Sequence, residues 1–126
     1  QDGDETLEAF SEMGHEMMAQ LHGERGTQGY AKPENETTGG LYTMAIQYGY
    51  GWLWHRAGLD TRQRMLCAVA SFTVLRLDSQ VRKFAQSALN IGLSKEEVVE
   101  AVMQTAPYGG FPPALNALAA LDEILP

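Results

Sequence analysis

From Thr6 to Leu21 the apolar residues Leu7, Phe10, Met13, Met17 and Leu21 recur three or four apart. That spacing puts them on one face of a helix that buries against a core. Gly23 is placed to cap it, and Gln1 to Glu5 reads as a frayed start. Gly23 to Gly40 is polar, rich in Gly, Thr, Asn and Glu, and reads as a loop. A loop of that length is uncommon in a small domain, so we expect an ordered arm that packs on a neighbouring subunit. Leu41 to Trp54 is different again. It is apolar and aromatic, with no charged residue between Gly40 and His55. A helix apolar on nearly all sides is buried on nearly all sides, against another subunit, around a ligand, or in an ordinary core. Gly49 and Gly51 predict a bend that turns aromatic rings into a cavity.

The second half carries the strongest local signals. Asp60 and Gln63, then Ser94 and Glu97, have the spacing of capping boxes, in which two orphan backbone donors at a helix start are satisfied reciprocally. Thr61 to Leu75 has no charge between Arg64 and Arg76 and is expected to be the central core helix. Ser79 to Asn90 is amphipathic, with Val81, Phe84, Ala85, Ala88 and Leu89 facing inward. Asp78 or Ser79 is placed to cap it. Gly92 closes it at a position that needs positive φ. Ser94 to Thr105 carries Val98, Val99, Val102, Met103 and Ala106 on one face. Pro107 and Gly109-Gly110 end that helix, and Pro112-Pro113 fit the first turn of the next, where no backbone donor is needed. The last two helices therefore form an antiparallel hairpin. No alternation of period two survives beyond four residues, so the expected class is all-α with about six helices.

Composition narrows the function. At 126 residues the chain reads as one domain, with residues 1–40 as helix and arm and 41–126 as core. Net charge is −7 with no basic cluster, which argues against nucleic acid and anionic membranes. No apolar run approaches the ~18 residues of a membrane span. No signal peptide is visible and the chain has one cysteine, so a cytoplasmic location is expected. Without an export signal, Asn35-Glu36-Thr37 reads as a chance sequon. His15 and His22 read as solvated histidines, because no third ligand is near, and no metal or cofactor is expected.

Two stretches carry a resemblance. Ala88 to Leu118, ALNIGLSKEEVVEAVMQTAPYGGFPPALNAL, is similar to the C-terminal signature of the carboxymuconolactone decarboxylase family, within the alkylhydroperoxidase-D-like superfamily. Tyr48 to Ala70, YGYGWLWHRAGLDTRQRMLCAVA, resembles the decarboxylase branch through Trp54, Arg56, Gly58, Leu59, Arg62 and Arg64. The resemblance implies a helical bundle, assembly into trimers or hexamers, and decarboxylation of a small lactone acid in aromatic catabolism. The peroxidase branch uses a Glu, a Cys-x-x-Cys pair and a His. Here Met65, Leu77, Gln80 and Phe84 stand at those positions, so dithiol peroxide chemistry is not expected. Cys67, in an apolar helix, reads as an inert buried thiol.

Decarboxylation needs a cation to hold a carboxylate, an apolar place for the group that leaves, and a donor to protonate the carbanion. Arg56, Arg62, Arg64 and Arg76 are the cations. His55 and Tyr108 are the expected catalytic residues, and Arg56, Tyr48, Trp52 and Phe84 the expected substrate-binding ones. Tyr108 precedes the Gly109-Gly110 turn and is placed to line a pocket, and Asn116 is placed at an interface. A hydroperoxidase relative and a non-catalytic oligomeric binding module are the competing readings.

Overall fold

The computed structural model describes residues 2–28 and 33–126. Among these the chain is all-α, without a strand, as the periodicity predicts. Gln1 and residues 29–32 of the expected arm lie outside the described residues. The chain divides into two compact units, Gln1–Leu59 and Asp60–Pro126.

In the first unit, α1 spans Asp2–His22, so the helix begins before the periodic segment rather than after a frayed start. Met17, Met18 and Leu21 are buried on it. Gly23 takes φ 58°, the left-handed conformation that ends a helix at little cost. The expected loop starts with a 3-10 turn, Gly23–Gln28. Further on, Asn35 Oδ1 accepts the backbone N–H groups of Thr37 and Thr38 at 2.8 and 3.0 Å, which folds this stretch on itself. Glu34 then reaches forward. Its Oε2 accepts the backbone N–H and hydroxyl of Thr43 at 2.8 and 2.7 Å, and its Oε1 accepts the Thr38 hydroxyl at 2.5 Å. These donors, the Thr38 hydroxyl first and the Thr43 amide next, pull the Glu34 carboxyl down to about 2.

Helix α2, Leu41–Met44, runs straight into a π-helical stretch, Ala45–Tyr50, and a 3-10 turn at Leu53–His55. Backbone touches backbone where α1 meets this segment. A Cβ on Gly14 would fall against the Ile46 carbonyl oxygen, and one on Gly51 against that of Phe10. Gln47 Nε2 donates to Ser11 Oγ at 2.9 Å. Helix α1 covers one side of the segment: within the chain Ile46 and Tyr50 are buried, while Leu41, Met44, Tyr48, Trp52 and Leu53 are exposed, which leaves the other side open to a subunit or a ligand. One expectation is corrected here. His22 is not solvated. It is 2% exposed, and its Nε2 lies 3.2 Å from the Tyr50 hydroxyl.

The second unit follows its caps. Asp60 and Gln63 form the capping box of α3, Thr61–Val74, and Ser94 and Glu97 that of α5, Lys95–Gln104. Arg62 on α3 donates to the Gly92 carbonyl at 3.1 Å and pairs with Glu97 at 3.4 Å, joining the two helix starts. The Ser94 amide, ahead of Arg62, holds the Glu97 carboxyl below its ordinary value. Between them lies α4, Asp78–Asn90, and Gly92 has the expected positive φ of 96°. Leu77 is at the N-cap of α4 and no side chain caps it, which corrects the assignment to Asp78 or Ser79. A single turn, α6 (Ala106–Gly109), leads through Gly110 at φ 103° into α7, Phe111–Ile124. Met65, Val69, Val81, Phe84, Ala88, Val98, Val102, Ala117 and Leu121 form the core of this unit, each of the larger ones worth about 1.5–3 kcal/mol of transfer free energy.

The end of α3 is unusual. Leu77 N–H donates to the Phe72 carbonyl and Arg76 N–H to that of Thr73, the pair of bonds of a Schellman motif. Arg76 sits at φ 63°, where glycine is the ordinary choice. One more expectation fails on this helix. Cys67 is exposed, along with Ser71, Val74 and Leu75. The helix turns Met65, Val69 and Thr73 inward and leaves Cys67 and Leu75 on an open face, while Val74 meets Gly109.

Candidate functional site

Each unit carries one concave feature built from residues of interest. In the first, Tyr48, Trp52, Leu53 and Arg56 line a cleft of about 230 Å³. The π-helical stretch and the turns after it space these side chains along one edge. Tyr48 meets Trp52 edge to face, with centroids 5.9 Å apart and planes at 83°. Phe10 of α1 stacks on Trp52 at 5.9 Å and 13°. Both are favoured aromatic geometries. Trp52 remains half exposed, at 51%. The cleft thus offers a flat apolar wall, a perpendicular ring and a guanidinium.

His55 stands next to Arg56 and is exposed. Its Nε2 lies 3.1 Å from the Met13 carbonyl oxygen. A carbonyl only accepts, so Nε2 carries a proton and donates it. That bond orients the ring and leaves Nδ1 as the nitrogen not engaged by Met13.

In the second unit an open groove of about 1050 Å³ runs between α3 and α5. Leu66, Ala70, Val74 and Ala101 give it an apolar wall, Cys67 opens onto it, and Glu96 and Glu100 stand at its side. Tyr108, 81% exposed, lines one end. Gly109 fits against α3 because it has no side chain: a Cβ there would come within 2.9 Å of Val74 Cγ2.

The carboxymuconolactone decarboxylase family matches residues 40–123. The chain belongs to that family. Among its relatives is the 4-carboxymuconolactone decarboxylase of Acinetobacter baylyi, 22% identical over 88% of this chain and 83% of the relative. An uncharacterized 15.0 kDa protein of Paracoccus denitrificans is 31% identical over 63% of this chain and 60% of its own length. The nitrosuccinic acid decarboxylase of Metarhizium robertsii is 29% identical over 65% of this chain and 57% of its own.

Within this family member the residues singled out from sequence do not share one site: His55 is exposed beside Arg56 and lines neither concave feature, and the others fall into three places. Tyr48, Trp52 and Arg56 share the cleft of the first unit. Tyr108 lines the groove of the second. Phe84 is 5% exposed and packs on Phe72, centroids 4.8 Å apart, in the core. It lines neither concave feature. Arg62 is engaged by Gly92 and Glu97. Among the described residues no three His, Cys, Asp or Glu side chains group as metal ligands, and no helix is long and apolar enough to cross a membrane. Phe10 was missed as a contributor. It lies 42 residues from Trp52 in sequence, outside the matched segment, and its helical spacing marks it only as a core-facing residue.

Proposed function

We propose that this chain is a carboxy-lyase acting on a small cyclic or aromatic-derived carboxylic acid. Family membership supports the reaction class. The observation that carries the site is Arg56 lining one cleft with Tyr48 and Trp52. In this reading Arg56 holds a carboxylate that the substrate keeps, with the charge-assisted bonds that suit a guanidinium. Tyr48 and Trp52 receive the ring. The carboxylate that leaves lies against the Leu53 side chain, the apolar part of the cleft wall. The C–C bond breaks, its electron pair moves into the neighbouring carbonyl as an enolate, and carbon dioxide departs. A proton from Nδ1 of the His55 imidazolium then reaches the carbanion carbon, and the ring returns to neutral while Nε2 keeps its bond to Met13. No redox partner is needed.

Tyr108 is the proton donor of the alternative in which the acid binds in the groove of the second unit. Carbon dioxide release from a panel of lactone and aromatic acids tests the reading. His55→Asn and Tyr108→Phe separate the two donors: the variant whose kcat collapses identifies the residue. Cys67→Ser tests for thiol chemistry, and turnover that survives it excludes a cysteine-dependent route. No acid in the panel losing carbon dioxide above the uncatalysed rate would sink the assignment.

The same reading takes the chain as a homo-oligomer, a trimer or a hexamer. Exposed Leu75, Met103, Phe111 and Leu115 in the second unit and Leu41 and Met44 in the first support it, since soluble monomers seldom expose large apolar patches.

A further inference from the structure

The geometry points to Trp52 as a stacking platform that selects planar substrate rings, with Phe10 as the positioning residue that holds it in place; this rests on the carboxy-lyase reading of the cleft. Three observations converge. Phe10 lies parallel to Trp52, 13° between planes, so it backs one side of the indole while about half of Trp52 stays open at 51% exposure. Gly51, the residue before Trp52, meets the Phe10 carbonyl so closely that no side chain fits, which pins the Trp52 backbone to α1 and brings the rings together. Tyr48 stands perpendicular to Trp52 at 83°, making a corner with one wall parallel and one at right angles to an arriving ring.

An unsaturated or aromatic ring lying on the open side of Trp52 extends the Phe10–Trp52 stack. It also meets Tyr48 in the edge-to-face arrangement, the two geometries that aromatic quadrupoles favour. A puckered or acyclic acid reaches Arg56 equally well but gains neither. Arg56 thus answers the charge, which all these acids share, and Trp52 with Phe10 answers the flatness, which only some have. The matched family segment begins at residue 40, so the backing residue comes from a part of this chain that lies outside it.

The chain has two tryptophans. In a Trp54→Phe background fluorescence reports Trp52 alone, and benzoate, cyclohexanecarboxylate and succinate serve as probes. Benzoate is expected to quench saturably and to bind about two- to twelvefold more tightly than cyclohexanecarboxylate, the range that aromatic pairing supplies. Phe10→Leu, checked for fold by circular dichroism, is expected to bring that ratio towards one and leave succinate unchanged. Equal affinity for the two ring acids overturns the proposal, as does a ratio that neither Phe10→Leu nor Tyr48→Leu moves. Quenching without turnover removes the carboxy-lyase reading and keeps the platform. Turnover whose KM ignores ring planarity and Phe10→Leu removes the platform and keeps the reading.

Discussion

His22 and Tyr50, 28 residues apart, meet ring edge to ring face with centroids 5.7 Å apart and a 3.2 Å contact between Nε2 and the hydroxyl. Both are buried, at 2% and 5% exposure. The contact fastens the end of α1 to the end of the π-helical stretch, which in turn presents Tyr48 and Trp52. Tyr50→Phe removes the hydroxyl and with it this contact to His22 Nε2. The expected cost is about 0.5–1.5 kcal/mol, the net worth of one hydrogen bond, read as a lowered midpoint in urea with an unchanged m-value.

Glu34 makes the first unit sensitive to acid. Its carboxyl titrates at about 2 when folded, against an ordinary 4.5. The folded chain therefore binds this proton less readily than the unfolded chain. The stabilisation is complete above about 4.5 and is lost as pH falls from there to about 2. Because Glu34 is exposed, solvent screens the effect. Glu34→Gln should flatten the pH dependence of the protection from exchange of the Thr43 amide, which Glu34 accepts, in that window.

Arg56→Gln keeps side-chain length and polarity but removes the charge. If the guanidinium holds a carboxylate in both ground and transition states, KM rises and kcat changes little. The expected loss in kcat/KM is about ten- to hundredfold, the worth of a charge-assisted bond. Steady-state kinetics with the best acid of the panel measures it. An effect confined to kcat would place Arg56 at the reacting carbon instead.

Leu115 is 59% exposed on α7, near Phe111 at 67%. If the assembled protein covers this face, Leu115→Asp buries an unpaired carboxylate in the contact and dissociates it. Light scattering at micromolar concentration is expected to return a multiple of the chain mass for the parent and a lower mass for the variant. A monomer mass for the parent would refute assembly.

Much of the second unit was legible because its signals are local. A capping box needs four residues, and both pairs, Asp60 with Gln63 and Ser94 with Glu97, formed as the spacing predicts. Gly92 likewise announced its own conformation. Burial was read less well, because it depends on what the rest of the chain brings alongside. Cys67 sits among apolar neighbours in sequence, yet the helices around α3 leave it exposed. His22 looked like a solvated residue near a helix end, and it is buried because Tyr50 folds back over it. The grouping of Tyr48, Trp52 and Arg56 was visible as a cluster in sequence. The partner that backs it, Phe10, was not, since no local rule relates residues 42 apart.

The left-handed turn at Arg76 has a practical consequence. The motif that closes α3 is complete in its backbone bonds, but the residue there has a Cβ, which left-handed backbone tolerates at a cost on the order of 1 kcal/mol. Glycine would satisfy the same bonds without it. Arg76→Gly is therefore a way to build a sturdier parent for this protein without touching the core, the cleft or the groove. In that background, substitutions too damaging to survive in the natural chain become measurable in folded protein.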